Sequence, residues 1–295
     1  MHAKDSKLLL PKSDFVFGLL FGNPNYTDLL VSLLQAILGF PMQDFLGIKI
    51  LNPITRPKYP TNKTCILDVK IMLKNKKVIN VEIQIKNLPG LRERILFYTA
   101  SMITNQIKKG EDYQKIQQVI GIYILDYELL PGKEFHHTYN LIEKQNGDVL
   151  TDLLEIHIIE LPKVKNNCDN MLCNWMQFIH ADTEEEMALV AKRNPKIRKA
   201  YARIVELSAD AEAQMIEEAI EKARRDEASR MQGALAEGIA IGKKQAAKII
   251  EAKDAALSEQ AAALSEKDAA LSQQAAALSE QAAEIAALKA QLGKA

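Results

Sequence analysis

The chain has 295 residues, 47% of them apolar, and equal numbers of basic and acidic residues. That length holds one large domain, or one domain with an extension. Residues 1–180 carry 21 Lys/Arg against 18 Asp/Glu, and the remainder 17 against 20. This is not the strongly basic domain usual in nucleic-acid binders, so any grip on phosphate must come from local clusters such as Lys74, Lys76 and Lys77.

Three cysteines in so long a chain argue against a disulfide framework and suit a reducing cytosol, so a cytoplasmic location is expected. Cys168, Cys173 and His180 lack the fourth ligand and the short spacing of a zinc knuckle and are read as structural. No apolar run reaches the ~18 residues of a membrane span, and the N-terminus has no signal-peptide pattern.

In chain order, Asp14-Phe15-Val16-Phe17 with Phe21 and Gly22 reads as an aromatic lid. Residues 25–38 form a helix capped by Thr27 or Asn25 and stopped by Gly39 and Pro41, with Leu30, Leu33, Leu34, Ile37 and Leu38 on one face. A short strand over 45–51 ends at Pro53. A loop through Pro57 and Pro60 enters a hairpin spanning 65–86. A second helix, 91–109, is closed by Gly110, and on it Arg94 and Tyr98 are i,i+4 neighbours. The run 118–127 fits a central strand covered on both faces. Strands over 134–142 and 154–161 extend the sheet, and an aromatic helix around Trp175 packs back on it. Thr183 and Glu186 have capping-box spacing.

The hairpin concentrates the chemistry. Ile79, Val81, Ile83 and Ile85 alternate with Asn80, Glu82, Gln84 and Lys86, giving one apolar and one polar face. The preceding run sets Asp68 and Lys70 against Leu67, Val69, Ile71 and Leu73. A three-residue loop at Lys74–Lys76 would pair Asp68 with Glu82, and a shift of two would pair it with Gln84. Like charges directly opposite destabilise a sheet, and close carboxylates resist joint ionisation. A divalent cation removes both penalties; the plainer alternative is a hairpin whose acids simply face water.

Asp68 followed by Glu82-Ile83-Gln84 resembles the PD-(D/E)XK nuclease signature, with Gln in place of the usual Lys. Further ordered motifs accompany it: Pro11 to Phe17, Leu20-Phe21-Gly22, Lys63, Arg94 and Tyr98, Lys109 to Tyr113, Leu154 to His157, and Glu160 to Lys163. Over roughly residues 7–180 the chain resembles the Rpn family of recombination-promoting nucleases, transposase-like members of that superfamily. The resemblance implies an α/β fold with an αβββαβ core and mixed sheet, the order read above. It implies a Mg²⁺-dependent (or Mn²⁺-dependent) DNA endonuclease of recombination or mobile-element biology.

On that basis Asp68 and Glu82 are the expected metal ligands, and Arg94, Tyr98 and Lys63 the expected contacts to DNA. Asp14 is the residue the resemblance offers as a candidate first-motif acid. Gln84 cannot take a proton, so it could only position water. Lys70 either replaces the missing ammonium or is a surface ion-pair partner. A catalytically degenerate fold serving as a DNA-binding or assembly module is the competing reading.

Domains are expected at 1–180 (nuclease-like), 181–250 (helical arm, softened by Gly233, Gly238 and Gly242) and 251–295 (tail). From Asp254 the sequence repeats every seven residues, setting Ile250, Leu257, Leu264, Leu271, Leu278, Ile285 and Leu292 at one heptad position. A strict heptad implies a left-handed coiled coil and a homo-oligomer. The seam is thin, with Ala or Asp at the partner position, and a solvated single helix is the rival.

Overall fold

The computed structural model describes residues 8–54, 69–87 and 89–292, with backbone alone at 288 and 290–292. Its centre is a six-stranded sheet in the order β1-β2-β3-β4-β6-β5. The strands are β1 (Lys49–Ile50), β2 (Val69–Met72), β3 (Val78–Gln84), β4 (Val119–Leu125), β5 (His136–Ile142) and β6 (Val149–Glu160). β1, β2 and β3 pair antiparallel, β3, β4 and β6 run parallel, and β5 returns antiparallel to β6. The helix–three strands–helix–strand order and the mixed α/β sheet agree with the sequence reading.

The β2–β3 hairpin takes the first of the two registers considered. Val69 pairs with Val81, Lys70 with Asn80 and Ile71 with Ile79. Leu73 N–H donates to Lys77 O at 2.9 Å, and Lys76 N–H to Leu73 O at 2.9 Å, closing the loop at Lys74–Lys76. Lys76 takes φ +67°, the left-handed last residue that such loops require to match the strand twist.

Two apolar layers sandwich the sheet. On one face Ile79, Val81 and Ile83 of β3, with Ile120, Ile122 and Ile124 of β4, meet α1 (Asp14–Phe21), α2 (Thr27–Leu38) and α4 (Met171–His180). α5 (Glu184–Ala191) and α6 (Pro195–Ala209) join this layer through Met187, Val190, Ile197, Ala200 and Ile204. Trp175 is wholly buried here and its Nε1–H donates to Ser32 Oγ at 3.2 Å, the core role expected of it. The aromatic lid is itself a helix: seven of the eight α1 residues are buried, so its sequence has no polar side to mark a period.

The opposite face is covered by α3 (Leu91–Thr104), whose Leu91 and Ile95 pack on Tyr123, Leu125, Ile156 and Ile158. The polar face of β3, which the sequence left open between water and a site, is not solvated: Asn80 is 7% exposed and Glu82 9%, on the side of the sheet where α3 packs against β4 and β6. Gly121 of β4 permits the close approach; a Cβ there would stand 2.8 Å from the Tyr123 ring and 3.0 Å from Thr99 Oγ1.

α3 ends at Thr104, before the expected Gly110 stop. Gln106 there turns to the next segment, its amide donating to Gln117 O at 3.0 Å and accepting from Gln117 N at 2.8 Å. Cys168 and Cys173 are joined by a disulfide, a local link from the segment before α4 to its first turn, where no disulfide was expected. The Thr183–Glu186 capping box forms as read.

By compactness the chain divides into Met1–Glu221 and Lys222–Ala295. α7 (Ala211–Leu292) begins in the first unit, where Ala213 and Ile216 are core residues. In the second unit Ile250, Leu257, Leu264, Leu271, Leu278 and Ile285 are all more than half exposed. No helix among the described residues is long and apolar enough to cross a membrane.

Candidate active site

Side chains two apart on a strand share a face, so Lys70, Asn80, Glu82 and Gln84 all point to the α3 side of the sheet. Gln84 Nε2 donates to Glu82 Oε1 at 2.5 Å. Burial pushes the Glu82 carboxyl up from the usual range; the Gln84 hydrogen bond and the Arg94 charge pull the other way and do not overcome it. Taking a carboxylate out of water disfavours its charged form, and only a nearby positive charge or enough donors restores it.

Arg94 lies in the first turns of α3 and its guanidinium sits over the Tyr98 ring, 5.8 Å from the centroid. The structure therefore brings Glu82, Gln84, Arg94 and Tyr98 to one side of the sheet. Lys70 is half-buried on the same face, its backbone N–H donating to Asn52 Oδ1 at 2.8 Å.

Asp68 and Lys63 lie outside the described residues. Asp14 occupies the first turn of α1, its Oδ1 accepting from Phe15 N at 2.7 Å, and it is not among the groups that shift Glu82. Of the loop lysines, Lys77 turns its ammonium over the Phe40 ring at 5.1 Å.

The sequence reading missed Tyr127, two residues past β4 on the α3 side. Its hydroxyl is buried and makes no hydrogen bond to a described residue. Burial raises its pKa to about 12, and both Arg94 and Glu82 act on it electrostatically. No local pattern marks it, because its place depends on contacts far along the chain.

A second polar cluster stands on the other face of the sheet. His136 Nε2 meets His157 Nδ1 at 2.9 Å, and His157 Nε2 meets Glu155 Oε1 at 2.6 Å. With Glu155 ionised, the consistent assignment has each histidine donating through Nε2–H toward the carboxylate. Burial, then the neighbouring His157 and His137, push His136 down to about 4.

A base with a depressed folded pKa supports the fold while neutral. That contribution is present above the ordinary value of 6.5 and is lost as pH falls toward 4, since the unfolded chain takes up the proton first. Replacing His136 with Gln should therefore flatten the acid side of the stability curve over this window. Urea unfolding at a series of pH values checks it.

Among the described residues no group of three or more His, Cys, Asp or Glu is placed to hold a metal ion. Beside Glu82 the described residues place a carboxamide, Gln84, and a guanidinium, Arg94.

A family model for the PD-(D/E)XK nuclease family transposases matches residues 11–234. No curated protein and no solved structure matches the chain. The match covers every strand of the sheet, α1 to α6, and the face on which Glu82, Gln84 and Arg94 meet. This chain belongs to the PD-(D/E)XK nuclease family transposases.

Proposed function

We propose that the chain is a divalent-metal-dependent DNA endonuclease whose site is the α3 face of the β2–β3 hairpin. The observation that carries this reading is Glu82, a buried carboxylate on a central strand facing Arg94. A lone buried acid is costly unless paired or coordinating a cation. In the sequence reading a three-residue loop at Lys74–Lys76 pairs Glu82 with Asp68, which lies outside the described residues. Asp68, Glu82 and the Ile83 carbonyl would hold Mg²⁺ (or Mn²⁺), which supplies charge neutralisation and an activated water for phosphodiester hydrolysis.

The chain's own residues account for the rest. Arg94 offers a planar fork matched to phosphate oxygens. Around it the first backbone N–H groups of α3, which lack partners within the helix, favour an anion. Tyr98, nearly half exposed beside Arg94, gives a surface for the sugar-phosphate chain, and Lys63 adds charge. Gln84 orients water by hydrogen bond, and Lys70 provides the ammonium that Gln84 cannot. Supercoiled plasmid incubated with the protein and Mg²⁺ tests the reading. Nicked circles should form, and EDTA should prevent them.

A DNA substrate goes with a cytoplasmic place of work and a role in recombination or mobile-element movement. The Cys168–Cys173 bridge, spanning a separation of five residues, is no framework of a secreted domain.

The tail serves self-association. Six Leu or Ile side chains recur every seventh residue of α7 and are left open in the single chain; a second copy of the same stripe covers them. The association is weak, because Ala and Asp occupy the adjoining seam position. Removing residues 251–295 should lower self-association in sedimentation experiments and leave 1–250 folded. A full-length chain that stays monomeric at tens of micromolar would assign the repeat to a solvated helix instead.

A further inference from the structure

Of the eight phenylalanines in the chain, Phe97 alone is exposed, with 67% of its surface open. A single exposed apolar side chain is ordinary, but a contiguous exposed patch marks a contact surface. Phe97 does not stand alone. Its ring meets the Tyr98 ring edge-on, 5.6 Å between centroids, and Tyr98, 48% exposed, carries the Arg94 guanidinium on its face. Two open rings and a cation form one continuous surface.

Helix geometry sets this surface beside the candidate site. α3 turns Leu91, Ile95 and Thr99 inward, the first two against β4 and β6. At about 100° per residue, Arg94, Phe97 and Tyr98 fall on one flank, Phe97 being the i+3 neighbour of Arg94. Arg92 falls on the other flank. It donates to Leu129 O at 2.9 Å, and Leu129 N–H is tied to Glu160 at the end of β6. The Arg94 flank therefore faces the opposite way, toward β3 and β2, which lie on the far side of β4 from β6. Glu82, Gln84 and Lys70 belong to those two strands. Leu96, also exposed, is about 200° from Arg94 and outside this flank.

The chemistry of the surface narrows what it takes. The Arg94 guanidinium makes no hydrogen bond to a described residue, so its donors are open to an anion, and their planar fork suits a phosphate. Glu93 is the only acid of α3. A Cβ added at Gly90 would stand 3.8 Å from its Oε2, so this carboxylate lies back at the start of the helix and leaves the rings uncovered. An exposed ring beside a phosphate-holding cation is the pairing that binds single-stranded nucleic acid, since an unpaired nucleotide offers a π-face and a phosphate together. A duplex closes that face, because each base is already stacked between neighbours.

We propose that Phe97 stacks an unpaired base of the DNA whose phosphate Arg94 holds, so that the substrate class is DNA with single-stranded character, such as a flap, a gap or a frayed end. This deepens the DNA reading given above and rests on it, though not on any metal ion. Every base has a π-face, so the preference is for unpaired strand and not for sequence.

The test is made in EDTA, where binding is read without cleavage. Labelled single-stranded and duplex oligonucleotides of one sequence are titrated with the full-length chain, Phe97→Ala and Phe97→Trp, followed by anisotropy. A 2-aminopurine in the single strand reports stacking by its quenching. The wild type should hold single strand more tightly than duplex and quench the probe. Phe97→Ala should lose roughly 5- to 100-fold in single-strand affinity, with a smaller preference over duplex and less quenching. Phe97→Trp should keep all three. An exposed side chain can be replaced without loss of fold, and the unfolding midpoint of each variant checks this.

Unchanged single-strand affinity in Phe97→Ala, an equal loss on single strand and duplex, or a wild type without preference overturns the stacking role and leaves the DNA reading standing. A lowered unfolding midpoint in Phe97→Ala makes the ring structural and also overturns it. So does a Phe97→Ala chain that loses self-association in sedimentation while single-strand binding holds, which assigns the patch to a protein contact. A wild type that binds neither oligonucleotide removes the DNA reading and this proposal with it.

Discussion

Replacing Glu82 with Gln is expected to remove Mg²⁺-dependent DNA cleavage by at least about 10²- to 10³-fold, the scale of deleting one electrostatic stabiliser from a site that excludes water. The same change should leave the fold intact or firmer when no divalent ion is present. Gln has the shape of Glu, and its side-chain oxygen can still accept from Gln84 Nε2, which now donates to Glu82 Oε1 at 2.5 Å. It also removes a carboxyl whose charged form burial opposes. Activity and stability should thus move in opposite directions, the pattern of a strained functional residue. Asp68→Asn should match it in cleavage. Melting curves in EDTA and initial cleavage rates, measured on the same preparations, check both halves.

The second large effect is expected at Lys70. It shares the face of Glu82 through its pairing with Asn80, and it is the only lysine of β2. If it supplies the ammonium missing at Gln84, Lys70→Met should slow the chemical step by roughly 10²-fold or more, the size of general acid–base contributions. DNA affinity should change little. Gln84→Lys should be tolerated and should rescue part of the Lys70→Met loss. Single-turnover rates at saturating protein separate chemistry from binding. An undiminished Lys70→Met rate would make Lys70 a surface residue, and a dead Gln84→Lys protein would assign the work to the carboxamide.

How far the sequence reveals this arrangement depends on the range of the forces involved. The hairpin was legible because its pattern is local: alternating apolar residues on either side of Lys74-Asn75-Lys76 define strands, faces and two possible registers. The choice between registers was not legible. It turns on Lys76 taking a left-handed conformation, which Lys favours far less than Gly. Whether Asn80 and Glu82 meet water stayed open, because alternation cannot distinguish a wet face from a polar site under a helix. That side of the sheet is packed by α3, admitted by Gly121, and the fit of Gly121 against Thr99 and Tyr123 is a tertiary fact.

α1 escaped notice for the opposite reason. A helix buried on nearly all sides has no period to show. Tyr127 escaped because its support comes from Glu160 and Lys163, more than thirty residues later. The motif Glu160-Leu161-Pro162-Lys163 was visible as text, yet its task of holding the loop beside the site requires the folded chain. The heptads of the tail were legible throughout, since a seven-residue repeat is a property of sequence alone.

The claim that this face is a metal-dependent nuclease site is met most directly by plasmid cleavage with wild type and Glu82→Gln side by side, at equal concentration and in Mg²⁺. The account predicts nicked and linear product from the wild type, none in EDTA, and none from Glu82→Gln. Cleavage that persists in Glu82→Gln or in excess EDTA would contradict it. So would a folded wild type that binds DNA and never cuts it, which would make the chain a DNA-binding member of a nuclease family.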